Sequence, residues 1–290
     1  MQIRTDLALE QRELMAGKAT DNVQVRKRRH GAAEITEVEV CNAAGEKELG
    51  KPQGKYITVE IPEFAQDSEL LDGRLTAMTE SIRTLLPDED GPVLVAGLGN
   101  EDVTPDALGP RTAHGIFATR HIDRALASEL GFGELRDVCA ITFGVLGQTG
   151  METAETIRGI VNTIHPAAVI TVDALAARSL QRLGKTVQLT DTGITPGSGV
   201  GNSRARLDKE TLGVPVIAIG VPTVVDAVTL VRDFTSEHKM AKEKEDEAKA
   251  MMVCPREIDV TIRRAARFLA LSLNCALQPS ISPDILLTIV

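Results

Sequence analysis

From Pro92 to the C-terminus, short apolar runs alternate with longer amphipathic segments. This alternation is typical of parallel strands joined by crossover helices, and it constrains the fold more than any other feature of the sequence. The predicted strands are Val93–Leu98, Val138–Thr142, Ala168–Val172 and Val214–Val221. The predicted helices are Arg111–Leu130, Glu152–Ile164, Ala174–Leu183, Val224–Asp233 and Arg256–Ala276. The pattern therefore predicts an α/β fold with three α/β/α layers and a mostly parallel, doubly wound sheet.

The first 90 residues have a different pattern. Ile35–Val40 and Tyr56–Ile61 alternate apolar and polar side chains, which is typical of half-buried strands, and the turn-rich segment AAGEKELGKPQGK separates them. We expect residues 30–65 to form a small antiparallel flank of the sheet. Residues 236–250 are a mixed-charge run without an apolar stripe, and we expect a charged insertion there, either a solvated helix or a mobile segment.

Charge and aromatic content exclude several classes of protein. The chain has 32 basic and 41 acidic residues and a net charge of −9 at pH 7. Non-specific electrostatic binding to nucleic acid or to an anionic membrane is therefore not expected. Six Phe, one Tyr and no Trp are too few for base-stacking platforms. The basic cluster from Arg26 to His30 is therefore predicted to be a surface segment, with no direct nucleic-acid binding.

The distribution of cysteines and apolar residues favours a cytoplasmic protein. The four cysteines contain no CxxC pair, which is typical of reduced intracellular thiols rather than of a disulfide framework. Charged residues are spread over the first twenty positions, whereas a signal peptide has an uninterrupted apolar region there. The most apolar stretch begins at Gly213 and is interrupted by Pro222 and Asp226, so no membrane span is expected.

Several common catalytic and cofactor-binding motifs are absent from the sequence. It has no HExxH motif and no pair of histidines four residues apart, so a histidine-based zinc site is not expected. Ser198 lies in PGSGV, where Pro196 and Val200 replace the glycines of a nucleophile elbow. After the GLG of residues 97–99, Asp102 replaces the third glycine of a dinucleotide motif. The sequence therefore predicts neither a cofactor nor a metal.

Two aspartates follow predicted strands at the point where an open parallel sheet places its active site. Asp106 follows the first of these strands through the loop GNEDVTP, and Asp173 directly follows the run AAVITV. If both strands are parallel, both carboxyls reach the same sheet edge, where one keeps its proton near neutral pH while the other acts as a base. Such a pair can activate water against a peptide carbonyl. Two alternatives stay open: the carboxyls bind a divalent metal ion, or each simply caps a helix.

The glycine-rich loop DTGITPGSGVGNSR, at residues 191–204, invites a close approach by the backbone of a ligand or substrate. Gly197, Ser198 and Gly199 in this loop, together with Asn100 in the loop before Asp106, are candidate substrate-binding residues. A turn that merely permits positive φ is an equally good explanation of the glycines.

Five sequence blocks, in the expected order along the chain, resemble the germination protease (spore protease) family. The blocks are GLGNEDVTPDALGP, GVLGQTGMET, VDALAARSL, DTGITPGSGVGN and ETLGVPVIAIGVPTVVDA. This family consists of endopeptidases that start the breakdown of small acid-soluble spore proteins, and the resemblance covers nearly the whole chain. It implies an aspartic-type catalytic pair, which falls by motif on Asp106 of TPDALGP and Asp173 of VDALAA. The family is related in fold to hydrogenase maturation proteases, whose metal-binding acid would correspond to Asp106.

The resemblance also implies how the chain is organised and where it acts. The family is made as a zymogen that removes its own propeptide, cutting after an acid and before an apolar residue and Ala, as in TE/FASE. TDLALE, residues 5–10, fits this pattern with the scissile bond between Asp6 and Leu7, which leaves residues 1–6 as propeptide and residues 7–290 as a single catalytic domain. A homotetramer in the forespore or spore core is implied as well. The alternatives are a metal-dependent hydrolase that uses the same aspartates and a non-enzymatic protein that binds a small anion.

Overall fold

The computed structural model describes residues 6–10, 21–66, 69–129, 131–200, 204–234, 247–248 and 251–290. The strands are β1 (Val23–His30), β2 (Ala33–Val40), β3 (Gly54–Glu60), β4 (Val93–Gly97), β5 (Val138–Thr142), β6 (Ala168–Ala177), β7 (Thr186–Thr190), β8 (Val216–Asp226) and β9 (Met252–Val253). The helices are α1 (Ala43–Leu49), α2 (Gly73–Leu85), α3 (Leu108–His114), α4 (Arg124–Glu129), α5 (Leu146–Thr149), α6 (Thr153–Ile164), α7 (Lys209–Leu212), α8 (Ala227–Phe234), α9 (Ile258–Leu277) and α10 (Pro283–Leu287). Short 3-10 turns occur at Thr104–Asp106, Leu180–Arg182 and Ser198–Val200.

The nine strands of the described residues form one sheet in the order β1-β2-β3-β7-β8-β6-β4-β5, and β9 pairs with β8 beside this path. The neighbours β5, β4, β6 and β8 are parallel. The strands β1, β2, β3 and β7 form an antiparallel portion that joins β8. The predicted α/β/α fold class is confirmed. Among the described residues the sheet is mixed rather than mostly parallel, because three of its strand pairs are parallel and five are antiparallel. The antiparallel portion starts at Val23, before residue 30, because β1 pairs with β2 along its whole length.

Side chains of the parallel strands alternate between the two faces of the sheet, and helices cover each face. On β4, Val93 and Val95 belong to a core that includes residues of α2, α3 and α9. Leu94 and Ala96 belong to a second core, which includes residues of α6. Because both faces are buried, the central strands are near-continuous apolar runs, which is the signal that makes them predictable.

The C-terminal helix α9 supports the loop that follows β4. It has 20 residues, and its buried apolar side chains recur at helical spacing, as at Ile262, Ala265, Ala266 and Leu269. It packs against α2 and α3 and also contacts the 3-10 turn Thr104–Asp106. The position of this turn therefore depends on the packing of α9 on the sheet.

The predicted helix at Ala174–Leu183 is wrong. Instead, β6 continues to Ala177 because its last residues pair with β8 as far as Val225. The same pairing prolongs β8, so the helix predicted at Val224–Asp233 begins later, with α8. The pairing joins residues far apart in the chain, and a local pattern of apolar residues does not reveal it.

The helix predicted at Arg111–Leu130 is interrupted. The first part, α3, ends at His114. The Asn274 side chain of α9 then replaces helical hydrogen bonds, because it accepts from the Phe117 N–H and donates to the Gly115 carbonyl oxygen, both at 2.9 Å. The chain resumes as a helix only at α4.

The turn-rich segment between the first two predicted strands contains the helix α1. The Asn42 side chain accepts the backbone N–H groups of Ala44 and Gly45 at its start, and Gly50 ends it with φ of 66°. These are common signals for the start and end of a helix, although the glycine content of the segment indicates turns. The sequence pattern also does not predict β1, β7 or α2.

The basic cluster from Arg26 to His30 lies in the exposed strand β1, at the edge of the sheet. Acidic residues of β2 lie opposite: Arg26 faces Glu37 in the strand register, and Lys27 Nζ is 3.5 Å from Glu34 Oε1. Cross-strand pairs of opposite charge stabilise such a hairpin. The basic side chains therefore have a structural explanation within the sheet.

Two further expectations concern the insertion and the membrane. The predicted charged insertion at residues 236–250 lies outside the described residues, except for residues 247–248. As for the membrane, none of the described helices combines the length and the apolar composition needed to cross a bilayer.

We expect Gly109→Ala to destabilise the protein and Gly159→Ala to stabilise it slightly. A methyl group at residue 109 would collide with the carbonyl oxygens of Leu98 and Val172, and such overpacking typically costs about 1–3 kcal/mol. Residue 159 lies on the exposed side of α6 with open space around it, so alanine there gains about 0.5–1 kcal/mol of helix stability. Urea-induced unfolding measures both changes. A Gly109→Ala variant as stable as the wild type would contradict the close packing of α3 on the ends of the strands.

Candidate active site

The loop after β4 brings Asp106 to the edge of the sheet. The chain leaves β4 at Gly97 and passes through residues 98–103 into the 3-10 turn that contains Asp106. The Asn100 backbone N–H donates to Asp106 Oδ2 at 2.7 Å and fixes the carboxyl. Gly99 has φ of +113°, and a side chain there would collide with the Asp106 carbonyl oxygen, so this loop requires glycine.

Asp173 lies within β6, one residue beyond the pairing of Val172 with Gly97, the last residue of β4. It pairs with Gly220 of β8, and only 6% of its surface is exposed. The Ala174 N–H donates to Asp173 Oδ1 at 2.9 Å. A carboxyl with so little contact with water ionises at a high cost in free energy.

Asp106 and Asp173 line the same cleft, which has a volume of about 330 Å³. Both lie at the carboxyl ends of parallel strands, at the edge where the sequence predicts them. Residues 197–199 of the glycine-rich loop also line this cleft. Asn100 lies outside the lining and contacts Asp106 through its backbone. A substrate-binding role for Asn100 and for residues 197–199 stays a prediction.

Burial separates the proton affinities of the two carboxyls. Burial raises the pKa of Asp173 well above its usual 3.8, and the negative charges of Asp106 and Asp6 raise it further, while the Ala174 N–H lowers it. Burial also raises the pKa of Asp106, and the Asn100 N–H opposes this shift. Asp173 therefore keeps its proton to the higher pH, and Asp106 ionises first. Two neighbouring carboxyls with unequal pKa values can supply an acid and a base at the same pH.

The N-terminal residues that the structure describes, 6–10, lie in and beside this cleft. The backbone N–H of Asp6 donates to the Ala176 carbonyl oxygen at 3.1 Å, and Asp6 Oδ2 accepts the Ala176 N–H at 2.9 Å. The Ser198 hydroxyl donates to Asp6 Oδ1 at 3.0 Å. Asp6 lines the same cleft as Asp106 and Asp173. The residue before the predicted scissile bond thus lies beside the two candidate catalytic carboxyls.

The side chains of Leu7 and Glu10 anchor the rest of this segment. Leu7 is fully buried. Its apolar neighbours are Leu175, Ala177, Leu183 and Val225. Glu10 is 2% exposed, and its carboxylate accepts the N–H groups of Arg178 at 2.8 Å and Ser179 at 3.0 Å. The Arg182 Nε lies 3.6 Å from the same carboxylate, so the residues after β6 bind an acidic side chain.

Two polar side chains contact the carbonyl oxygen of Asp6, which belongs to the peptide bond that joins Asp6 to Leu7. Lys51 Nζ donates to this oxygen at 3.0 Å, and Gln188 Nε2 donates to it at 3.1 Å. Gln188 Oε1 also accepts the Ala8 N–H at 2.7 Å. Lys51 precedes β3 and Gln188 lies in β7, so both contacts come from the antiparallel portion of the sheet.

The sequence pattern does not reveal the residues that hold residues 6–10. Ala176 and Arg182 lie in a segment predicted to be a helix, and Gln188 lies in β7, which was not predicted. One signal was present: Glu10 is an acid four residues after Asp6 within TDLALE, and a buried acid needs partners that donate hydrogen bonds.

The polar side chains that line the cleft are three carboxyls and three hydroxyls, those of Asp6, Asp106, Asp173, Thr195, Ser198 and Thr223. Its lining contains neither His nor Cys. Among the residues that the structure describes, no group of three or more His, Cys, Asp or Glu side chains is arranged to hold a metal ion. Asp106 and Asp173 are the carboxyls that would contribute to a divalent cation site in this cleft.

Comparison with known proteins agrees with the resemblance of the sequence blocks. The sequence model of the germination protease family matches residues 3–250. The germination protease of Caldanaerobacter subterraneus subsp. tengcongensis is 42% identical, over 97% of this chain and 95% of that protein. The germination protease of Clostridium tetani is 40% identical, over 97% of each chain. The germination protease of Bacillus subtilis is 43% identical, over 80% of this chain and 65% of that protein.

These similarities and the α/β/α fold define the chain as a peptidase. The chain belongs to the germination protease family.

We expect Asp173→Asn to be more stable than the wild type at about pH 7, with a difference that narrows as the pH falls toward 4. The folded state raises the pKa of Asp173, so ionisation of this carboxyl reduces stability as the pH rises from its unfolded to its folded pKa. Asparagine removes this penalty and still accepts the Ala174 N–H. Urea-induced unfolding across this pH range measures the difference.

The exposed variant Asp88→Asn serves as the control, and its stability should follow that of the wild type within about 0.5 kcal/mol. Mass spectrometry confirms beforehand that all samples have the same chain length. A stability difference for Asp173→Asn that is independent of pH would contradict the buried, protonated state of this residue.

Proposed function

We propose that the chain is a self-processing endopeptidase that initiates the degradation of small acid-soluble spore proteins during spore germination. Water activated between Asp106 and Asp173 hydrolyses the peptide bond. The observation that carries this proposal is the pair of carboxyls with unequal pKa values, Asp173 buried and Asp106 half-buried, in a cleft that Asp6 of the same chain also lines.

In the proposed mechanism, ionised Asp106 takes a proton from a water molecule, and the water oxygen attacks the scissile carbonyl carbon. Protonated Asp173 donates its proton to the amine nitrogen as the C–N bond breaks. The products are a carboxyl group and an amino group. Proton transfer from Asp106 to Asp173 through solvent restores the starting state. A fall in pH favours this one-proton state because it protonates Asp173, the carboxyl with the higher pKa.

The zymogen part of the proposal rests on residues 6–10. We assign residues 1–6 as the propeptide, and the bond between Asp6 and Leu7 as the bond that the enzyme cuts in itself. A propeptide of six residues is short, but its last residue, Asp6, lines the cleft and is held there by hydrogen bonds with Ala176 and Ser198. This segment must leave the cleft before an external substrate binds there.

The family resemblance supplies the remaining parts of the proposal. Residues 7–290 form the single catalytic domain, and the active enzyme is a homotetramer in the cytoplasm of the forespore or in the spore core. The enzyme binds neither nucleic acid nor membranes directly. Of the two alternatives, small-anion binding is disfavoured because the cleft is lined by the three acids Asp6, Asp106 and Asp173.

After mild acidification, we expect the wild type to lose residues 1–6, whereas Asp106→Asn and Asp173→Asn retain them. Each variant lacks one of the two groups that transfer protons, so self-cleavage should slow by at least about 100-fold. Mass spectrometry of the intact chains distinguishes the two lengths. The exposed control Asp88→Asn should be processed like the wild type, and processing of Asp173→Asn at the wild-type rate would contradict the proposed mechanism.

We also expect self-cleavage to survive exhaustive chelation of divalent metals, because the two carboxyls supply both the acid and the base. The measurement is the same mass shift after dialysis against a strong chelator. Loss of cleavage on chelation, with recovery on addition of one divalent cation, would favour the metal-dependent hydrolase instead.

A further inference from the structure

We propose that Lys51 and Gln188 are catalytic residues that stabilise the negative charge that develops on the scissile carbonyl oxygen. The proposal rests on the proposed function, since it takes the bond between Asp6 and Leu7 as a substrate bond in its binding position. It adds a second half to the active site, contributed by the antiparallel portion of the sheet.

The geometry of the Asp6 carbonyl supports this role. Its oxygen accepts two side-chain hydrogen bonds, from Lys51 Nζ at 3.0 Å and from Gln188 Nε2 at 3.1 Å. Two convergent donors at such distances are the usual composition of an oxyanion-stabilising site. The residue that carries this carbonyl also lines the cleft of Asp106 and Asp173. Asp6 thus has acids on one side and hydrogen-bond donors on the other.

Both donors are fixed before any reaction takes place. Gln188 is 7% exposed, lies in β7, and is oriented by the bond that its Oε1 accepts from the Ala8 N–H at 2.7 Å. Lys51 is half-buried and its Nζ contacts the Asp6 carbonyl oxygen; burial lowers its pKa, while the Asp6 carboxylate opposes this shift. A cation in a poorly solvated site stabilises a developing anion more strongly than one in water does.

The contribution to the reaction is electrostatic. When the water oxygen attacks the carbonyl carbon, the π electrons of the C=O bond move to the oxygen, and the water proton moves to Asp106. Lys51 and Gln188 hold the resulting oxyanion without transferring a proton. When the C–N bond breaks, the carbonyl re-forms as part of the new carboxyl group, and the leaving nitrogen takes the proton of Asp173. All atoms and charges are then accounted for.

The competing explanation is that Lys51 and Gln188 only anchor residues 6–10 in the cleft. An anchor would strengthen binding of the segment and leave the rate of the bound state unchanged. An oxyanion-stabilising group lowers the barrier and leaves binding nearly unchanged. The two roles are therefore separated by measuring both the rate of self-cleavage and the occupancy of the cleft.

The test uses the full-length chain and the variants Lys51→Met, Lys51→Arg and Gln188→Glu. The first-order rate of self-cleavage after acidification is followed by mass spectrometry. Hydrogen exchange of residues 7–10, measured before acidification, reports whether the segment is bound. The exposed Lys47→Met, on α1, is the matched control and should behave like the wild type.

We expect Lys51→Met to slow self-cleavage by about 100-fold or more while the protection of residues 7–10 is unchanged. Lys51→Arg should recover most of the rate because it keeps a cationic donor. Gln188→Glu keeps the acceptor for the Ala8 N–H but loses the donor, and we expect about a tenfold loss with retained protection. Urea-induced unfolding confirms that each variant is folded.

Two results would overturn the inference alone: self-cleavage of Lys51→Met within threefold of the wild type, or a slow Lys51→Met whose residues 7–10 have lost protection. Absence of cleavage between Asp6 and Leu7 in the wild type would overturn the proposed function together with the inference. The wild-type reaction therefore tests the function, and the comparison of variants tests the role of Lys51.

Discussion

The parallel pairing of β6 with β4 on one side and β8 on the other is the constraint on which the site depends. Because β6 extends beyond the end of β4, Asp173 lies within the ladder and yet faces the loop that carries Asp106. The Leu98 N–H donates to the Val172 carbonyl oxygen at 2.8 Å, which joins this loop to β6 immediately before Asp173. Gly99 and Gly109 permit the close approach of the loop and α3, since a side chain at either position would collide with backbone.

Burial by the same packing makes the two carboxyls chemically different. Asp173 is enclosed by its neighbouring strands, whereas Asp106 lies on a loop and accepts the Asn100 N–H. The pKa of Asp173 is therefore raised well above its usual range, and the ionised neighbour raises it further. Two aspartates thus acquire unequal proton affinities from their positions in the fold alone, with Asp173 holding its proton to the higher pH.

The extension of β6 also creates the surface that holds the N-terminal segment. Ala176 presents a free edge of backbone to Asp6 because this part of the chain is a strand. A helix over the same residues would use its N–H and carbonyl groups internally. The strand then ends, and the turn that follows it supplies the groups that bind Glu10. The error in the predicted helix at Ala174–Leu183 therefore concerns the surface that holds residues 6–10.

The sequence by itself determined the α/β/α class, the central strands and the position of Asp106 and Asp173 at one edge of the sheet. A strand buried on both faces leaves an apolar run, and the residues that follow this run in the chain lie at the end of the strand. Through its resemblance to the family's cleavage pattern, the sequence also predicts that the enzyme cuts itself between Asp6 and Leu7. Only the tertiary structure decided that β6 and β8 continue, and that Lys51 and Gln188 meet the Asp6 carbonyl. Those features arise from contacts between segments distant in the chain, and such contacts leave no periodic signal in either segment.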